Sequence, residues 1–473
     1  MKISIEIPQS DSLRVYDDIL QAIGKTPLVR LKRIGRGLPC PLYAKVEFFN
    51  PGGSVKDRIA VNIIEQAESS GQLRPGGTVV EATSGNTGVG LAIVCAQKGY
   101  KSVFVMPDKM SGEKIQLLRA FGARVVITPT AVAPDDPRSY YSMARRIVEE
   151  TPNAILANQY HNPENPRSHY QTTGPEIWEQ THGRVTDVVI GMGTGGTISG
   201  VGKFLKEKNP QVRIIGVDPA GSILLETWQE GRVPDDVKAS TYKVEGIGED
   251  FWPSTLDLSV IDEVLRVGDK ESFLWTRRLV KEEGIFCGGS SGTALAAAIH
   301  YTQSLDPNRL VVVVLPDSGS RYLSKVFDDK WMRENGFLEG GWAETPLKQV
   351  LAAKSFQGLI TARIDDRMSD VIKILKEHDI SQVPTLYTDG SLAGLVSEVD
   401  LLEHMLEGNH EHSPNETIAG IVQPAQAVFS STSALEEVLP SIVEGHVVLV
   451  TEADRPAGIL TKIDVLDFIS QEL

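Results

Sequence analysis

The octapeptide PGGSVKDR, at 51–58, decides how the rest of the chain reads. Its paired glycines let the backbone turn tightly. The apolar spacing after them predicts a helix that starts near Ser54 and runs through 56–69. Lys56 then stands in the first turn, at the end of a helix that carries positive partial charge. That position disfavours an ammonium and favours the neutral amine that a Schiff base requires. Taken by itself, the octapeptide reads equally well as a surface lysine beside a helix cap.

Outward from it, between about 20 and 335, short aliphatic runs alternate with longer amphipathic stretches. The runs at 79–80, 102–106, 124–127, 187–190, 213–217 and 310–315 read as strands; 56–69 and 112–121 read as helices. Such alternation predicts an α/β architecture with a mostly parallel sheet covered on both faces and ligands at the carboxyl ends of its strands. Three more glycine-rich turns fall where a strand hands over to a helix. TSGNTG (83–88) aims hydroxyls and backbone N–H groups at one spot, which suits a carboxylate, with Asn86 as an amide donor. An ordinary capped turn is the other reading. GTGGT (193–197) opens a helix as a phosphate cradle does. A dinucleotide fingerprint would need glycine where Ile198 stands, and the Gly-Lys-Ser/Thr ending of a triphosphate loop is missing. One phosphate held without metal is the reading that remains. CGGSSG (287–292) places Ser290, a neutral hydroxyl, in a turn at a helix start. With no partnered histidine evident, Cys287 is expected to pack rather than react.

Composition bounds the rest. The chain has 473 residues, with 47 Lys plus Arg against 62 Asp plus Glu and a formal charge of -15. Nucleic acid and membrane surfaces are therefore poor partners. Three cysteines at uneven spacing offer neither a disulfide framework nor a metal site, and fit a reducing compartment. The first residues lack the pattern of a signal peptide, and the aliphatic runs are too short to span a bilayer, so a cytoplasmic protein is expected.

A boundary is marked near 339–346, and beyond it the chain repeats itself. VPTLYTDGSLAGLVSEVDLL (383–402) aligns without a gap on VVLVTEADRPAGILTKIDVL (447–466). Val383 meets Val447, Gly394 meets Gly458, Ser397 meets Thr461 and Asp400 meets Asp464. Two copies of one small α/β unit follow. The expected organisation is a catalytic part at 1–340, a linker at 341–353, and repeats at 354–410 and 411–473. Each copy carries Ser/Thr-x-x-Asp at the start of its last helix. The aspartate suits ribose hydroxyls and the Ser/Thr a polar group, although both motifs also read as simple helix caps.

These motifs, in this order, resemble the β-family of pyridoxal-5′-phosphate (PLP) enzymes, fold type II, over roughly 20–337. Within it they are similar to the cystathionine β-synthase family more than to the cysteine synthases. KVEFFNPGGSVKDR (45–58), MPDKMSGEK (106–114), NQYHNPENP (158–166), GVDPAGSIL (216–224), VEGIGEDF (244–251) and LPDS (315–318) carry that resemblance. The repeats resemble the paired CBS regulatory domains. The resemblance implies two open α/β subdomains of the tryptophan synthase β type. It implies condensation of serine with homocysteine to cystathionine, a transsulfuration step of cysteine biosynthesis, and release of hydrogen sulfide from cysteine. Lys56 would hold PLP, Asn86 would bond the ring hydroxyl, and Ser290 would face the ring nitrogen. Gly193, Thr194, Gly195, Gly196 and Thr197 would hold the phosphate. Thr83, Ser84, Thr87 and Gln159 would surround the substrate carboxylate, with Tyr160 and Glu245 near the second substrate. Ser397, Asp400, Thr461 and Asp464 would contact an adenosine-type ligand such as S-adenosylmethionine. A homodimer or homotetramer is implied. No haem is expected, because the first cysteine, Cys40, already lies in the catalytic region and the first histidine is His161. A cysteine synthase using O-acetylserine and sulfide, and a nucleotide sensor with a dead enzyme domain, are the competing readings.

Overall fold

The computed structural model describes residues 15–472 except 84, 109, 111, 130, 131, 133–135, 339–341, 355–357, 407–414 and 454. The chain divides into two compact units, Met1–Leu338 and Glu339–Leu473.

The first unit holds two sheets. The larger has the order Leu28–Arg30, Leu42–Val46, Val311–Leu315, Asp187–Gly191, Arg213–Pro219, Glu263–Val267, parallel except for its first pair. The central VVVVL is buried throughout. Successive side chains of a strand point to opposite faces. Val311, Val313 and Leu315 therefore enter one core with Ala44 and Leu295, while Val312 and Val314 enter another with Ile190 and Ile198. A run of five β-branched or aliphatic residues without polar alternation is what a strand covered on both faces requires. The smaller sheet is fully parallel, in the order Arg124–Thr128, Lys101–Pro107, Thr78–Ala82, Ala154–Leu156. The short strands Leu28–Arg30, Leu42–Val46, Ala154–Leu156 and Glu263–Val267 are not among the expected runs, since three of them carry polar residues and the fourth, Ala154–Leu156, is too short to show a period.

The helix after the octapeptide starts at Lys56, two residues later than its spacing suggests, and runs to Ser69. It buries Ile59, Ala60, Ile63, Ile64 and Ala67, a stripe at helical spacing. Gly90, in the helix Asn86–Lys98, lets that helix approach closely: a Cβ there would lie 2.9 Å from the Lys56 carbonyl oxygen. Beneath the loop is a buried charge network. Arg58 pairs with Glu47 at 2.7 Å and Glu176 at 2.7 Å, and Lys45 pairs with Glu176 at 2.6 Å. Against the effect of burial, Arg58 and Lys45 hold the Glu176 carboxyl down at about 2. The network ties the segment before Lys56, the helix after it and the helix Thr173–Gln180 into one rigid mount.

The second unit contains two three-stranded sheets, Ala362–Arg363, Gln382–Leu386, Leu392–Ser397 and Val428–Ser430, Val448–Glu452, Arg455–Leu460. Each joins a parallel pair to an antiparallel one. The copies are real, but the match between them is not gapless. Val383 pairs with Val396 and Thr385 with Gly394; Val448 pairs with Leu460 and Val450 with Gly458. Val383 thus corresponds to Val448, not Val447, and the second hairpin is one residue shorter. The bulges fall at the equivalent places, between Thr385 and Leu386 and between Val450 and Thr451. Side-chain alternation enforces this register, because a slip of one residue would turn the buried valines outward.

The segment read as a linker at 341–353 is also corrected. Leu347 and Val350 are buried in the core of the second copy with Val438, Val448 and Leu460, and Trp342 and Leu351 pack on it. Its backbone is paired there too, Leu347 N donating to Ser433 O at 2.9 Å and Leu435 N to Thr345 O at 2.9 Å. Reciprocally, Ile418 and Ile421, from the segment between the copies, enter the core of the first. Each small sheet is thus completed by residues that precede the other one. The boundary placed at 410/411 lies outside the described residues.

Candidate active site

Strand ends of both sheets lead into one open cavity of about 490 Å³ in the first unit, within the range of small-molecule and cofactor sites. Lys56, Thr83, Asn86, Thr87, Gln159 and Tyr160 line it, as do Thr194, Glu245 and Ser290. Lys56 also lines a smaller recess formed by Gly193, Thr194, Gly195 and Thr197. Ser84 lies outside the described residues.

Lys56 occupies the first turn of its helix, with its backbone N–H donating to Ser54 Oγ at 3.2 Å. Burial pushes its amine below the usual lysine range, while Asp317 and Glu249 pull in the opposite direction.

The recess opposite it has the chemistry of a phosphate site. The helix Gly196–Lys208 begins behind Gly195, at φ 83, a residue that offers no side-chain cap, and Thr194 Oγ1 accepts from Gly196 N at 3.4 Å. Side chains are excluded by contact. A Cβ on Gly193 would lie 2.9 Å from Gly246 O, one on Gly195 would lie 2.4 Å from Leu256, and one on Gly196 would overlap Asn165. Asn165 Nδ2 donates to Thr194 Oγ1 at 3.0 Å, and Thr197 Oγ1 lies 3.2 Å from His169 Nε2. Burial, reinforced by Arg58 and Lys56, keeps His169 neutral. Backbone donors, hydroxyls and small residues at a helix N-terminus suit a phosphate dianion.

On the other side, Thr87 Oγ1 donates to Gln159 Oε1 at 2.5 Å, so two residues 72 positions apart meet. The loop carrying Gln159 is held by Glu81, which accepts from Asn158 N at 2.6 Å and Gln159 N at 3.4 Å. Asn86 Nδ2 donates to Asp317 Oδ2 at 2.9 Å, and the Tyr322 hydroxyl donates to the same oxygen at 2.6 Å. Asn86 Oδ1 and Asp317 Oδ1 are buried without partners among the described residues. A polar ligand at that point would satisfy them. Ser290 is buried in the first turn of the helix Gly289–Thr302, at the cavity wall. The glycine turn, the orphaned polar atoms and the depressed lysine together fit PLP.

Glu249 and Asp317 carry no individual signal in the sequence, whereas Glu245 is one of the expected residues. Glu245 is ion-paired with Lys114 and with Lys325, the latter at 2.6 Å, and these cations hold it below the carboxylate range despite burial. Glu249 lines the same cavity as Lys56 and Tyr160, and burial pushes its carboxyl up to about 8. Asp317 lay within LPDS and Glu249 within VEGIGEDF, but neither motif identifies which side chain turns inward. Cys287 is buried, and burial pushes its thiol up. Cys40 and Cys95 are buried and unpaired as well.

In the second unit, Asp400 Oδ2 accepts from Ser397 N at 2.7 Å and from Ser397 Oγ. Asp464 Oδ2 accepts from Thr461 N at 2.8 Å and Thr461 Oγ1 at 2.7 Å, and Asp464 Oδ1 pairs with Lys354 at 3.1 Å. Both motifs therefore cap their helices, which is the second of the two readings open to them. No described helix is long and apolar enough to cross a membrane.

Comparison with known proteins places these features in context. The family model described as pyridoxal-phosphate dependent enzyme matches residues 19–317, and that of the CBS domain matches 355–407 and 420–471. Cystathionine beta-synthase of Oryctolagus cuniculus is 40% identical over 97% of this chain and 86% of its own length. Cysteine synthase of Staphylococcus aureus is 44% identical but covers 66% of this chain, with 98% of its own length matched. The crystal structure of O-ureido-L-serine synthase superposes with a TM-score of 0.61 at 37% identity, covering 69% of this chain and 98% of that one.

Proposed function

The chain belongs to the cystathionine beta-synthase family of pyridoxal-phosphate dependent enzymes, and from that premise we infer that it condenses L-serine with L-homocysteine to L-cystathionine and water. The observation that carries this reading is the meeting of Lys56, a glycine turn and the Thr87–Gln159 pair in one cavity. PLP, when bound, supplies the electron sink that stabilises negative charge at the substrate α-carbon. Gly193, Thr194, Gly195, Gly196 and Thr197 would hold its phosphate, Asn86 its ring hydroxyl, and Ser290 its ring nitrogen. Thr83, Ser84, Thr87 and Gln159 bind the serine carboxylate and so aim the α-proton at Lys56. The Lys56 amine, depressed by burial, takes that proton and delivers it to the leaving hydroxyl, which departs as water. The thiol then forms the new C–S bond at the β-carbon, and the proton it gives up returns to the α-carbon through Lys56. Tyr160 and Glu245 lie toward this second substrate. With cysteine in place of serine, the same displacement releases hydrogen sulfide.

The three unpaired cysteines support a cytoplasmic setting, and we expect operation without haem. A spectrum of purified protein with PLP absorbance and no Soret band is the expected result. Paired CBS domains support an adenosine-type ligand in the second unit and a homo-oligomeric regulatory assembly. Assay of serine with homocysteine against O-acetylserine with sulfide tests the reaction. A kcat/KM that favours the second pair would replace this reading with cysteine synthase.

A further inference from the structure

We propose that Asn165 is a positioning residue shared by two subsites: its side-chain amide orients both the Thr194 hydroxyl that meets the cofactor phosphate and the Gln159 amide that meets the substrate carboxylate. The inference rests on the assignment of those two subsites above and names the group that couples them.

Asn165 is buried behind the wall of the site. It is the second residue of the helix Glu164–Gln171, against which the helix Gly196–Lys208 packs closely: a Cβ on Gly200 would lie 2.1 Å from Pro166 O. From there its Nδ2 reaches in two directions. It donates to Gln159 O at 2.7 Å and to Thr194 Oγ1 at 3.0 Å. An amide nitrogen of this kind carries two hydrogens, so both bonds are made together.

The hydrogen-bond count at each end fixes what remains for a ligand. Thr194 Oγ1 accepts from Asn165 Nδ2 and, at 3.4 Å, from Gly196 N. A hydroxyl has two acceptor positions and one proton. With both positions filled, the proton must point elsewhere, and among the described residues it meets no acceptor. Thr194 lines the glycine-rich recess, so that O–H is left for a phosphate oxygen. At the other end, Asn165 holds the Gln159 carbonyl, Glu81 accepts from Gln159 N at 3.4 Å, and Thr87 Oγ1 donates to Gln159 Oε1. Gln159 Nε2 has no partner among the described residues. It belongs to a side chain that lines the cavity, and it is left to donate to a carboxylate. A plain tie between two loops is the rival role. It does not account for a bond placed on the hydroxyl of the recess rather than on main-chain atoms alone.

The test uses the full-length protein. Asn165→Ala removes both donors without adding bulk against Gly196. On reconstitution of the apoprotein, its Kd for PLP should rise about 5- to 10-fold, the worth of a weakened hydrogen bond to a charged group. In the loaded enzyme KM for serine should rise by about the same factor, with kcat and KM for homocysteine little changed, as expected when uniform binding is lost. Asn165→Ser keeps one donor and serves in the same measurements if the alanine variant does not fold. Double-mutant cycles separate positioning from structure. In a Thr194→Val background, Asn165→Ala should weaken PLP by no more than about 2-fold further, and in a Gln159→Ala background it should raise KM for serine by no more than about 2-fold. Losses that multiply in either background, or a KM for homocysteine that rises as much as that for serine, would reduce Asn165 to a structural tie and overturn the proposal. Unchanged PLP affinity in Thr194→Val would overturn it together with the phosphate assignment. An unmodified enzyme that accepts O-acetylserine and sulfide but not serine and homocysteine would displace only the condensation. O-acetylserine carries the same carboxylate, so its KM then reads the variants in place of that for serine.

Discussion

Lys56 joins three features: the first turn of a helix, a wall of the candidate active-site cavity, and burial deep enough to depress its amine. Lys56→Ala should leave the fold intact, because the side chain sits at a cavity wall and not in a packed core. Activity should drop at least ~10³-fold with the loss of its acid–base role alone, and the absorbance of the lysine-bound cofactor should vanish. Near-normal steady-state rates in this variant would displace Lys56 from the centre of the reaction. Its neighbour Asp57 gives a prediction of another kind. Burial pushes that carboxyl from 3.8 to about 7, with the Gly52 N–H and Arg321 only partly compensating, and its Oδ1 has no partner among the described residues. The folded chain therefore holds a proton between pH ~4 and ~7 that the unfolded chain releases, so this group makes the fold most stable at low pH and less stable as pH rises toward 7. Asp57→Asn should match the unmodified protein near pH 4 and exceed it by up to roughly 4 kcal/mol near pH 7. Urea midpoints measured across that range check the sign; a variant that loses ground as pH rises would refute it.

Among the elements, the glycine turn before the helix Gly196–Lys208 is under the tightest constraint. Gly195 combines a left-handed φ of 83 with a Leu256 side chain already within 2.4 Å of where a Cβ would go. Alanine there must strain the backbone, at about 1–3 kcal/mol, and also displace Leu256. Gly195→Ala should therefore weaken PLP retention on dialysis more than it lowers the melting temperature, since the turn borders the recess and the helix behind it can survive. Full retention of the cofactor would show that this turn does not hold the phosphate. The capping motifs of the repeats act at the same scale. Asp464 accepts two hydrogen bonds from Thr461 and an ion pair from Lys354, so any ligand reaching that carboxylate competes with contacts already made.

For the whole molecule, every residue assigned to the reaction lies in the first unit, Met1–Leu338, and none in the second. A chain ending at Leu338 should keep PLP and β-replacement activity. Ending at 345 instead would leave part of 342–353 without the second copy's core that covers Leu347 and Val350, so the cut belongs before it. A truncated chain that folds and binds PLP yet is inactive would show that the second unit is needed for turnover. Calorimetry of the full chain with S-adenosylmethionine, ATP and AMP should give heat with at least one, reduced by Asp464→Ala. No heat with all three would leave the repeats a structural role.

The sequence by itself determined where the local turns and helix starts fall. Lys56, the turn at 193–197 and Ser290 each sit where a strand-to-helix junction must place them, because a glycine-rich turn and the helix N-terminus after it lie within a few residues. Continuous aliphatic runs likewise marked the buried strands, since a strand covered on both faces has no polar side. Contacts between distant segments were decided only in three dimensions. Thr87 meets Gln159 and Asn86 meets Asp317 across gaps that no period spans. The hairpin register of the repeats and the exchange of 342–353 between them depended on which valines found a core, and Val448 rather than Val447 filled that position. Local chemistry follows from neighbours along the chain, whereas inward-facing charge and strand register follow from the packing of elements that meet only after the chain has folded.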